Sequence, residues 1–144
     1  MVNQDTIYLL KECDSGTKMA VSTIDDILSK VSNTDLKKIL EETKSHHQKL
    51  GNDLHSLLLK NHSEEKDPNP MAKSMARFKT SVKMSLDGSD RTIADLITDG
   101  CNMGVKSLHK YLHQYKAADH SAKDICHRLI DIEEKLGMKL QDYL

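Results

Sequence analysis

The sequence predicts an all-α fold in which four long helices run up, down, down and up, and three observations carry that reading. Apolar residues recur three and four apart along four stretches, two of those stretches repeat the other two, and the link between the repeats far exceeds a hairpin turn. Composition agrees. Aromatic residues make up only 3% of the 144 and charged residues 30%, which suits long helices with one narrow buried stripe and argues against a sandwich or barrel.

The first helix is expected over about residues 4–31, its seam being Leu10, Cys13, Thr17, Ala20, Ile24, Ile27 and Val31. Ser32-Asn33-Thr34 interrupts it and caps a second helix, with Leu36, Leu40, Thr43, His47, Leu50, Leu54 and Leu57 on its stripe, ending near residue 60. Residues 61–70 show no periodicity and hold both prolines, Pro68 and Pro70, so they read as a loop. Met71, Met75, Phe78, Val82 and Leu86 mark a short extra helix stopped by Asp87-Gly88. Ser89 or Asp90 caps the third long helix, whose stripe is Ile93, Ile97, Cys101, Gly104, Leu108, Tyr111 and Tyr115. The fourth follows residues 117–120 with Ile125, Leu129, Ile132, Leu136, Leu140 and Tyr143.

Cys13, Gly16 and Lys18 recur 88 residues later as Cys101, Gly104 and Lys106. Leu50-Gly51 and Leu54 recur 86 later as Leu136-Gly137 and Leu140. The chain therefore reads as one domain, 1–144, made of two similar hairpins (about 4–60 and 90–144) joined by a crossover at 61–89. Helices of this length are roughly 40 Å long, and the crossover is long enough to return the chain to the opposite end, so a pseudo-twofold axis perpendicular to the bundle follows.

That layout resembles the ferritin-like superfamily. It is similar, more closely, to an uncharacterised bacterial ferritin-like family of domain-of-unknown-function proteins, on Asp35-Leu36-Lys37-Lys38-Ile39-Leu40-Glu41-Glu42, Arg77-Phe78, Gly88-Ser89-Asp90 and Cys101-x-x-Gly104. The resemblance covers nearly the whole chain and implies the fold; it brings no established activity. Ferritin-like oxidases and iron stores hold two metals at mid-bundle with a Glu from each of two helices and a Glu-x-x-His from each of the others. Here the helix midpoints fall near Thr17, His47, Gly104 and Glu133, the first and third seams carry no carboxylate at that height, and neither the second nor the fourth helix has Glu-x-x-His. Asp124-Ile125-Cys126-His127, the nearest approximation, lies about two turns from the middle. Gly16 and Gly104 instead predict a close approach of the first and third helices.

Two readings of the centre follow. In one, His47 hydrogen-bonds Glu133 or Thr43 as a buried polar pair, with no cofactor. In the other, His46 or His47 joins Glu133, Glu42 and Glu12 to hold one iron, zinc or manganese ion. His109 and His113, one turn apart among lysines, read as a solvated face. Cys13 and Cys101 read as packing residues that become a redox pair only if the fold brings their Cα atoms within roughly 7 Å. Lys73, Arg77, Lys79 and Lys83 give the short crossover helix a basic face suited to covering a groove or meeting a protein partner.

The class exclusions are broader. A net charge of −1 removes the general case for nucleic-acid binding, and no stretch approaches the roughly 18 apolar residues of a membrane span. Met1-Val2-Asn3-Gln4-Asp5 lacks the basic segment of a secretory signal, and three cysteines without a C-x-x-C pair suit a reducing compartment, so a cytoplasmic location is expected. No nucleotide, zinc-protease or esterase signature is present. The expected function is a non-enzymatic structural or protein-interaction module that self-associates as a dimer, with the metal-binding relative as its alternative.

Overall fold

A computed structural model describes residues 3–61 and 88–144. Four helices are present there: α1 (Gln4–Leu28), α2 (Thr34–Lys60), α3 (Asp90–Gln114) and α4 (His120–Leu140), followed by a 3-10 turn over Gln141–Tyr143. The crossover and its short basic helix lie outside the described residues. Each helix starts where a short polar side chain takes up its free amides. Asn33 accepts from the amides of Asp35 and Leu36, Ser89 from Thr92, and Asp119 from Ala122. Of the two expected caps for α3, Ser89 does the capping and Asp90 is turned to another use. Gly88, at φ 88°, supplies the left-handed residue before it.

The helices run up, down, down and up, and two clasps show it. At one end the start of α1 meets the turn between α3 and α4: the Asn3 side-chain amide donates to the Ala117 carbonyl (2.7 Å), the Ala117 amide to Asp5 (3.1 Å) and the Asp119 amide to the Thr6 hydroxyl (2.8 Å). At the other end the Asp90 carboxylate, at the start of α3, accepts from the amides of Ser32 (2.8 Å) and Asn33 (2.9 Å) in the first hairpin's turn. Replacing Asp90 with alanine strips both amides of their acceptor, and urea unfolding is expected to show a loss of about 1–2 kcal/mol.

Each hairpin packs tightly on itself, and the hairpins join mainly through α2 with α4 and α1 with α4. The apolar core forms two clusters. One gathers Leu9, Leu10, Cys13, Leu54, Leu58, Leu108, Ile125, Cys126 and Leu129 towards the start of α1, and the other gathers Ile24, Ile27, Leu36, Leu40, Ile93, Cys101, Leu136 and Leu140 at the opposite end. Between them lies a polar waist, with Thr17, Thr43 and His47 buried on α1 and α2. Two details differ from the seam expected. Leu58, not Leu57, is the fully buried residue of its turn, because Leu57-Leu58-Leu59 fits either phase of the stripe. The α1–α3 contact is sparser than either hairpin's, and the atoms nearest a side chain at Gly104 belong to Glu133 of α4. Gly104 therefore faces the Glu133 carboxylate at ordinary van der Waals range and is not the tight α1–α3 crossing the repeat suggested.

Candidate functional site

The waist is built around His47. Its ring is 1% exposed, and each nitrogen meets an oxygen: Nε2 stands 2.5 Å from Glu133 Oε1 and Nδ1 2.7 Å from the carbonyl oxygen of Thr43. Neither a carboxylate nor a carbonyl donates a proton, so the ring satisfies both contacts only with both nitrogens protonated. The pair is an imidazolium donating to a carboxylate. Burial alone would lower the His47 pKa, but the hydrogen bond and charge of Glu133, with the Thr43 carbonyl, hold it above its ordinary 6.5.

A raised folded value fixes the sign of a pH effect. The stabilisation from His47 is fully present below the unfolded value of 6.5 and is lost as pH rises through the folded one. In urea titrations across a pH series, the stability gap between the native chain and His47→Leu should be widest in acid and narrow towards alkaline pH. A gap that widens with pH contradicts the assignment.

Glu133 is shared. Its side chain, 13% exposed, lies against Gly104, where a Cβ would sit 3.7 Å from Oε2, and it hydrogen-bonds the Cys101 thiol. Burial first, then the Glu133 carboxylate, pushes that thiol far above the usual thiol range, so Cys101 is a neutral donor and not a nucleophile. A cavity of about 40 Å³ adjoins the three, walled by Met19, Thr23, Ile24, Ile97 and Leu136.

His47 and Glu133 are repeat equivalents, 86 residues apart, and they meet because residues near a twofold axis face their own counterparts. The other sequence candidates do not join them. His46 and Glu42 are exposed on the outer faces of α2. Glu12 is buried, at 3% exposure, but it belongs to a different cluster on the α1–α3 side. There Tyr111 hydrogen-bonds it and is pushed up to about 12, by burial and then by that carboxylate, while Tyr115 stacks on Tyr111 with ring centroids 6.2 Å apart. His109 and His113 are exposed, and the His113 Nδ1–H donates to the His109 carbonyl (2.9 Å). Cys13 and Cys101 lie in different core clusters, since antiparallel helices carry equivalent positions to opposite sides of the middle. The thiol beside Cys13 is that of Cys126 on α4, a contact that no repeat relates and that sequence spacing gave no reason to expect.

The residues present do not fit a di-iron centre. Where such a centre needs carboxylates on four helices, α1 offers Gly16 and Thr17, α3 offers Gly104, and the histidine of α2 is bonded directly to the carboxylate of α4. Among the described residues, no three His, Cys, Asp or Glu side chains are grouped so as to hold a metal ion.

Comparison with solved structures finds this fold in the crystal structure of a DUF305 fragment from Deinococcus radiodurans, with a TM-score of 0.78. The chain has the fold of that helical bundle. The alignment covers 98% of this chain and 95% of that one at 7% sequence identity, a likeness that establishes the fold alone. No protein-family model matches the sequence, and no curated protein does. Among the described residues no helix is long and apolar enough to cross a membrane.

Proposed function

We propose that the chain is a non-enzymatic, cytoplasmic module, folded as one domain over 1–144, that works as a structural or protein-interaction element. The observation that carries this reading is the closed waist: the place where a ferritin-like oxidase keeps ligands and open coordination positions is spanned by a direct His47–Glu133 ion pair packed on Gly104. A pair that satisfies itself tightens the bundle and leaves its surface to act. That surface includes a groove between α3 and α4 lined by Val105, Met138 and Leu144, of which Met138 is 68% exposed and Leu144 50%. Self-association as a dimer through this groove is the partner reading. Light scattering at increasing concentration tests it: the native chain should approach twice its monomer mass, and Met138→Glu should hold it at monomer mass. A native chain that stays monomeric throughout contradicts the dimer.

One observation favours the second reading, a metal-binding relative. The cavity beside His47, Glu133 and Cys101 is larger than one water needs, so an iron, zinc or manganese ion there would compete with the proton held by the pair. Acid should then release metal and alkali favour its uptake.

A further inference from the structure

We propose that Cys13 and Cys126 form a disulfide when a hydroperoxide oxidises the protein, fastening α1 to α4. The two residues come from helices that run in the same direction and pack directly against each other. Both are 0% exposed, in the same apolar cluster. The Cys126 thiol reaches the carbonyl oxygen of Leu108 (3.9 Å), which leaves the Cys126 sulfur to accept the Cys13 proton, and those two side chains are hydrogen-bonded. The disulfide would require the two sulfurs to close to a bonding distance of about 2.05 Å. Cys101 has no such neighbour; its thiol is given to Glu133 in the other cluster.

Oxidation here is gated by opening of the bundle. The Cys126 contact, burial, and the charges of Glu12 and Asp14 hold the Cys13 thiol well above the ordinary thiol range, so the closed protein offers almost no thiolate. When α1 and α4 part, one thiolate attacks the peroxide: an S–O bond forms, the O–O bond breaks, and the departing alkoxide takes a proton to leave as an alcohol. The second thiolate then attacks the sulfenic sulfur, forming the S–S bond and releasing hydroxide, which leaves as water. Two thiols give up two electrons and two protons, and one hydroperoxide becomes one alcohol and one water. The product ties the first helix to the last across most of the chain, which restricts the unfolded state.

The test is peptide mapping of the reduced full chain after incubation with tert-butyl hydroperoxide, followed by alkylation in denaturant. The expected product is a monomer lighter by about 2 Da that yields a Cys13–Cys126 peptide and an alkylated Cys101. Its formation should accelerate in urea below the unfolding transition, and its urea midpoint should lie above that of the reduced chain. Cys101→Ser should give the same linkage, and Cys126→Ser should abolish it. A linkage to Cys101, a disulfide between two chains, sulfinic acid at Cys13 or Cys126, a lowered midpoint, or three free thiols after prolonged exposure overturns the proposal. Because Cys101→Ser leaves both partner thiols in place, a folding failure of Cys126→Ser would not remove the test.

Discussion

Replacing His47 with leucine should lower the unfolding free energy by about 3 kcal/mol, and replacing Glu133 with leucine in the same chain should restore most of that loss. The single change leaves the Glu133 carboxylate, 13% exposed, facing an apolar side chain that donates nothing. Coulomb attraction lost in a partly buried site, together with desolvation of the carboxylate left behind, accounts for a penalty of that size. The second change removes the stranded charge and puts two leucines in the waist between the two apolar clusters. The four urea curves of a double-mutant cycle measure this as a coupling energy. A cycle with no coupling would show that the pair holds nothing together.

The three leucines at the end of α2 give the second large effect. Leu58 is 1% exposed and packed in the cluster with Leu9, Leu10 and Leu54, so Leu58→Ala should cost about 3 kcal/mol. Leu57 is half-buried against the edge of the same cluster, and its alanine variant should cost about 1 kcal/mol. Leu59 is 58% exposed, and removing it should change stability by less than about 0.5 kcal/mol. The comparison is sensitive to helix phase, because the stripe read from spacing placed Leu57 inward. Equal losses at 57 and 58 would mean that the end of α2 is rotated from the arrangement seen.

Much of the architecture was written in periodic signals. Stripes three and four apart, capping residues within Ser32-Asn33-Thr34 and at Ser89 or Asp90, and the repeat of Cys13-x-x-Gly16 as Cys101-x-x-Gly104 define four helices and their pairing. They also place His47 and Glu133 at mid-helix, and that is why their meeting was legible. Contacts that break the repeat were not. Cys126 faces Cys13 because α1 and α4 cross one diagonal of the bundle, and helix spacing says which face is buried without saying which diagonal closes. Glu12, a candidate ligand only in the metal reading of the waist, is taken up by Tyr111 on α3; its neighbours come from a helix about a hundred residues away, at a height that spacing along α1 does not determine. Asp90, which with Ser89 is one of two residues that read as the α3 cap, serves as the acceptor for the opposite hairpin's turn, a role visible only once the ends are brought together.

We propose that the His47–Glu133 pair closes the middle of the bundle without a metal. Elemental analysis of untagged protein, purified without chelator, loaded aerobically with iron or zinc and desalted, tests it most directly. Less than about 0.1 equivalent of either metal should be retained, with no charge-transfer absorbance after iron addition. Close to one equivalent, bound in the native chain and lost in both His47→Leu and Glu133→Leu, would contradict it.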